Sequence, residues 1–201
     1  MLFRSLNLFQ LGRLQPGEKA LIHAGAGGVG SAAIQLCKAF GSPCWVSVGS
    51  AERLAYCEGL GAEGGVLRGD NLEGLKDFAP FDVILDPVGA SYAALNLGVI
   101  AVDGRWVVIA MMGGRRAELD LAKFLGKRVQ ITGSTLRNRD DVFKTALMAE
   151  LREKVWPLFA EKKLSPQLER TFRADQAEEA FALLESNQVN GKIVLVLDDS
   201  L

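Results

Sequence analysis

A chain of 201 residues can bury one full core without disulfide or metal staples. With 49% apolar residues, 23% charged residues and a net charge of -1, it lacks the basic excess that a nucleic-acid partner requires. No apolar run approaches the roughly 20 residues of a membrane helix, and Cys37, Cys44 and Cys57 form no Cys-x-x-Cys pair, so they read as reduced, buried thiols of a cytoplasmic protein.

The opening segment places Leu2, Phe3, Leu6, Phe9 and Leu11 on one helical stripe, interrupted by Arg4 and stopped at Gly12. After a turn over residues 15–18, ALIH reads as a short buried strand, followed by a glycine loop and a helix over about residues 29–40. CWVSV from Cys44 is a second strand, residues 52–60 a helix, and residues 65–67 a third strand. FDVILD from Phe81, RWVVIA from Arg105 and VQIT from Val129 supply three more, with spacers long enough for crossovers. Six strands interleaved with helices predict an α/β fold, a Rossmann-type doubly wound parallel sheet. Beyond Arg139 the pattern changes to one long helix over residues 141–159, a strand-like QLERTF after Pro166, a helix over 174–185 and a terminal strand KIVLVL from Lys192. Two strands so late in the chain need a sheet to join.

The sequence HAGAGGVG puts Gly25-x-Gly27-x-x-Gly30 between a strand and a helix, which is the context a dinucleotide fingerprint demands. Gly25 permits the tight turn, Gly27 lets backbone approach a pyrophosphate, and Gly30 lets helix and strand pack closely. An NAD site places Asp or Glu at the end of the second strand. Here Gly49 stands there, followed by Ser50 and Arg53, which removes a repulsive carboxylate and supplies donors for a 2′-phosphate, favouring NADP(H). His23, the one histidine, ends a buried strand and reads as a packing or locally hydrogen-bonded residue.

These residues, with LIHAGAGGVGSAAIQL, ILDPVGASY, DGRWVVIAMMGG, TGSTLRNRD and GKIVLVL in their order and spacing, resemble the zinc-independent quinone oxidoreductases of the medium-chain dehydrogenase/reductase superfamily, of the zeta-crystallin and p53-inducible type. The resemblance implies hydride transfer from NADPH to quinones or related electron-poor carbonyl compounds. It implies that Ala26, Gly27, Gly28 and Val29 meet the pyrophosphate and that Gly49, Ser50 and Arg53 meet the adenosine ribose phosphate. Where many relatives have an aromatic residue or histidine after the third strand, this chain has Arg68, which either strengthens the NADP preference or sits in solvent. Ile109, Ala110, Met111, Met112, Ser134, Thr135 and Leu136 match the loops beside the nicotinamide. The strand over residues 129–134 is expected to pair with its own copy in a homodimer, because an open apolar edge is hazardous.

The resemblance also implies that residues 1–137 form the NADP-binding domain with its leading helix. Residues 138–201 then supply a helix and strands that complete a GroES-like catalytic domain absent from this chain, so the chain is expected to be catalytically incomplete. A non-catalytic NADPH-binding module, or a subunit completed by another chain, is the alternative. Short-chain dehydrogenases need Tyr-x-x-x-Lys, whereas Tyr56 is followed at that spacing by Leu60 and Tyr92 by Asn96. The zinc alcohol dehydrogenases need a ligand set that one histidine and three scattered cysteines do not supply.

Overall fold

The architecture comes from a computed structural model describing residues 5–69, 72–186 and 188–197. Leu2, Phe3 and Arg4 of the expected opening stripe lie outside them. Leu6–Leu11 form a wide helical turn with Leu6 and Leu8 fully buried, and Phe9 packs its ring 4.8 Å from that of Phe40. Gly12 ends it by donating to the Asn7 carbonyl, at a point where a Cβ would lie 2.8 Å from two backbone oxygens.

Strand β1 (Ala20–His23) is followed by helix α1 (Gly30–Ala39), β2 (Cys44–Val48), α2 (Ala51–Leu60) and β3 (Gly64–Leu67). The second half runs β4 (Phe81–Asp86), α3 (Ala93–Val99), β5 (Ile100–Val108), α4 (Leu121–Lys127) and β6 (Gln130–Gly133). These strands form one parallel sheet in the order β3-β2-β1-β4-β5-β6, the doubly wound arrangement that the alternation predicts. Successive residues of each central strand serve opposite faces. Ile22, Val83 and Leu85 join the core under α1, while Leu21 and Ile84 join Phe81, Leu97 and Trp106 on the other side. Covering both faces explains why these strands are continuous apolar runs.

Strand β5 starts five residues before the expected Arg105, because Ile100 already pairs with Phe81. A register shift then accommodates Asp103, whose φ is 61°. The long helix expected over residues 141–159 is broken into α5 (Asp141–Lys154) and α6 (Trp156–Ala160). Pro157 is the reason: it lacks the N–H that would bond back into the preceding turn, and it is tolerated at the start of a new helix. The two late strands, β7 (Leu168–Arg173) and β8 (Lys192–Val196), pair with each other in a parallel ribbon crossed by α7 (Ala177–Glu185).

Candidate functional site

The strand order reverses between β1 and β4, and a cleft opens there, outside the carboxyl ends of the strands. It encloses about 460 Å³ and is lined by the glycine loop after β1, Ser47 to Gly49 at the end of β2, Arg68 after β3, Val88 after β4 and Met112 after β5. That volume falls in the usual range for small-molecule sites, roughly 300–1,000 Å³.

The glycines of the loop divide by position. A Cβ on Gly30 would stand 2.6 Å from the Ala24 carbonyl oxygen, and one on Gly25 would stand 2.7 Å from a Val46 methyl and 3.2 Å from Cys57 Sγ. These two are required by packing; Gly30 meets the loop's own backbone rather than strand side chains. Gly27 has open space before it, its nearest neighbour being 3.4 Å away, and Ala26, Gly27 and Gly28 face the cleft. Val29 immediately precedes α1 and packs against the core. The loop therefore brings its backbone to the wall of the cleft at the mouth of α1, the position from which helix N-termini receive anions.

At the far end, two guanidiniums converge on Gly49. The point where its Cβ would stand lies 3.3 Å from Arg68 Nε and 3.5 Å from Arg53 Nη1. Arg53 comes from the first turn of α2 and Arg68 from the residue after β3, so parallel neighbours bring together side chains 15 positions apart. Ser50 does not line the cleft. Its hydroxyl caps α2 by accepting from the Arg53 N–H, and its hydrogen bond to Glu52 is the main cause holding that carboxyl below its usual range.

The remaining expected residues split between two places. Met112 lines the cleft, whereas Met111 lines a smaller depression of about 180 Å³ with Trp106 and Ile131. Ile109 donates to the Asp86 carbonyl and Met112 to that of Pro87, which zips the loop after β5 to the loop after β4. Ser134 is buried, its hydroxyl without a partner among the described residues, while Thr135 is exposed and Leu136 partly so.

Several cleft residues were not legible in the sequence. Gly191 pairs with Gly27 and donates to the Ala26 carbonyl, so the start of β8 is stitched to the glycine loop. Lys192 then lies over the loop, its Nζ 2.8 Å from where a Gly28 Cβ would stand. The local signal was a Gly-Lys pair opening the last strand, with Gly191 at a φ of 84°, but nothing local links it to a loop more than 160 positions earlier. Ser47 and Tyr92 also line the cleft.

His23 is 1% exposed and hydrogen-bonded at both ring nitrogens, to Ser47 Oγ at 2.7 Å and to Asn96 Oδ1 at 2.8 Å. Burial lowers its pKa from the ordinary 6.5, against the raising effects of the Asn96 hydrogen bond and the Asp86 carboxylate. Unfolding therefore exposes an imidazole that takes up a proton more readily than the folded one. The resulting stabilisation is complete above pH 6.5 and is lost as pH falls through the lower folded value. Thermal melts between about pH 7.5 and 5.5 should show a steeper loss of Tm in the wild-type chain than in His23→Gln, where this contribution is gone. Parallel slopes would refute it.

The three cysteines are unpaired thiols buried behind the loop. Burial pushes Cys57 up to about 12, and a hydrogen bond with Cys44, then burial, raises Cys37. With Cys37 and Cys57 disfavoured as thiolates and both His23 nitrogens engaged, these side chains do not form a zinc-ligand set. Among the described residues no three His, Cys, Asp or Glu side chains gather as metal ligands do, and no helix is long and apolar enough to cross a membrane.

Comparison with known proteins locates this arrangement. The model of the family described as zinc-binding dehydrogenase matches residues 28–152. The crystal structure of the quinone oxidoreductase from Thermus thermophilus, studied also in complex with NADPH, superposes with a TM-score of 0.85 at 28% identity, over 98% of this chain and 63% of that one. The synaptic vesicle membrane protein VAT-1 homolog of Danio rerio is 26% identical over 95% of this chain and 43% of its own length. Polyketide synthase GfsB of Streptomyces halstedii is 29% identical over 96% of this chain and 3% of its own length.

Proposed function

The chain belongs to the zinc-binding dehydrogenase family, and we propose that within it this polypeptide is the coenzyme-binding part of an NADPH-dependent, zinc-independent quinone oxidoreductase of the cytoplasm. The observation that carries the reading is the pair of guanidiniums at Gly49, at the far end of a cleft that begins on a glycine loop. A carboxylate at position 49 would hold a ribose 2′-hydroxyl; two arginines around a glycine suit a 2′-phosphate instead. Lys192 and the backbone of Ala26, Gly27 and Gly28 suit the pyrophosphate in the same way. NADPH, when bound, supplies the hydride. The chain's own residues grip the two phosphate groups and, through the paired loops at Val88 and Ile109 to Met112, support the nicotinamide half.

Residues 1–137 form the coenzyme domain in this proposal, and residues 138–201 contribute to a catalytic domain whose further parts shape the pocket for a quinone or related electron-poor carbonyl compound. Apolar side chains left exposed on the β7–β8 ribbon, Leu168, Val194 and Leu195, favour this division. The coenzyme reading is tested by fluorescence titration with NADPH and NADH. A preference for NADPH of at least about tenfold is expected, one charge-assisted hydrogen bond's worth, and equal dissociation constants would overturn it.

Strand β6 ends the sheet with Ile131 38% exposed, and we propose that it pairs with its copy in a homodimer. Light scattering at tens of micromolar, an order-of-magnitude choice for a stable interface, should give a dimer for the wild-type chain and a monomer for Ile131→Lys. A dimer indifferent to the substitution would place the interface elsewhere.

A further inference from the structure

His23 takes no part in gripping phosphates, yet it belongs to a buried polar network with definite direction. Asp86, 0% exposed, accepts four hydrogen bonds: from Val88 N at 2.7 Å, Gly89 N at 2.9 Å, Trp106 Nε1 at 2.9 Å and Asn96 Nδ2 at 3.1 Å. A carboxylate offers acceptors only, so the Asn96 amide must turn its NH₂ to Asp86 and its Oδ1 to His23. His23 Nε2 therefore carries the ring hydrogen and donates to Asn96. Nδ1 is left as an acceptor, and the Ser47 hydroxyl donates to it. Reversing any one member would leave a buried group unpaired, with Asn96 at 0% and Ser47 at 2% exposure.

The direction of these bonds reaches the cleft. With its hydrogen committed to His23, Ser47 has only lone pairs left; the Tyr92 hydroxyl is close enough to hydrogen-bond to one of them, and the other is offered to the space that both residues line. Two other members of the assembly line the same space: Val88, whose N–H is held by Asp86, and Tyr92, whose ring stands edge-on to His23 at 4.8 Å. We propose that His23 is a positioning residue that fixes Ser47 as a hydrogen-bond acceptor in the coenzyme cleft, so that the group recognised there is a hydroxyl donor, such as a ribose hydroxyl, and not a phosphate oxygen. The proposal rests on the cleft being the coenzyme site. It divides the cleft into a donor-lined part, with the arginines and Lys192, and an acceptor-lined part at Ser47.

The test joins a spectroscopic signature to a binding cycle, both on the full chain. Because the chain has one histidine, ¹⁵N-histidine labelling gives one imidazole to assign by long-range ¹H–¹⁵N correlation. The expected species is neutral with its hydrogen on Nε2, and NADPH should shift the Nδ1 resonance without changing the tautomer. Ser47→Ala and His23→Leu should each weaken NADPH binding about tenfold, and the double variant should be no weaker than about twofold beyond either, because both remove the same contact. Should His23→Leu not fold, the tautomer and the Ser47→Ala titration still decide. A hydrogen on Nδ1, undiminished binding by Ser47→Ala, or losses that multiply would overturn the positioning role and leave the coenzyme reading standing. A wild-type chain that binds no NADPH would overturn both.

Discussion

Replacing Gly49 with Asp is expected to weaken NADPH binding by about a hundredfold while leaving NADH binding equal or tighter, and Arg53→Glu should cost NADPH at least about tenfold. Each charge-assisted hydrogen bond contributes about 1.5–3 kcal/mol, which is one to two powers of ten in affinity. The Gly49 substitution acts on two such bonds at once. Its Cβ would stand 3.3 Å from Arg68 Nε and 3.5 Å from Arg53 Nη1, so the new carboxylate would occupy both guanidiniums and repel a phosphate. The clash is small, because both neighbours are the ends of flexible side chains, and position 49 does not have a left-handed φ. The added carboxylate also recreates the acceptor that a ribose 2′-hydroxyl prefers. Fluorescence titration of the wild-type chain and both variants with each coenzyme checks this. If Gly49→Asp loses NADPH and NADH affinity equally, the arginine pair does not read the 2′-phosphate.

The 201-residue polypeptide is expected to bind NADPH yet oxidise it with a simple benzoquinone hardly faster than free NADPH reacts. Hydride transfer needs donor and acceptor held roughly 3–3.5 Å apart with water excluded, and such positioning is worth about 7–11 kcal/mol of the barrier. The loops at the nicotinamide end provide little enclosure: Met111 is 59% exposed and Met112 77%. With the coenzyme placed as proposed, these residues would support one face of the nicotinamide and leave the other to solvent. A steady-state assay of NADPH oxidation, with a matched blank and the Thermus thermophilus enzyme as reference, decides the point. Turnover comparable to the reference would show that the surroundings of Met111 and Arg137 build a working site without a further wall.

The two arginines show how far the sequence could carry the site. Gly49, Ser50 and Arg53 are near neighbours in the chain, at the end of a strand whose position the glycine loop implies, so their grouping was legible. Which of them faces the cleft was not: Ser50 turns to cap α2, because a hydroxyl there satisfies an N–H that the helix leaves unpaired. The structure brings Arg68 beside them because β3 is parallel to β2 and their ends coincide. In the sequence Lys192 opens the strand of the closing GKIVLVL segment, and only tertiary structure brings the start of β8 onto the glycine loop.

The sequence by itself determined the parallel sheet, its number of strands and the end of the sheet at which the cleft opens. Those properties follow from local physics: apolar runs too short for helices, glycines where a backbone must turn or be approached, and crossover lengths that exclude hairpins. Tertiary structure alone decided that the two late strands would pair with each other, and that Asp86, Asn96, His23 and Ser47 would form one directed chain of hydrogen bonds. Side-chain networks join residues far apart in sequence, here Ser47 to Asn96 through His23, and each member takes its orientation from the next. No periodicity or motif records that dependence, because it arises only when burial removes water as an alternative partner.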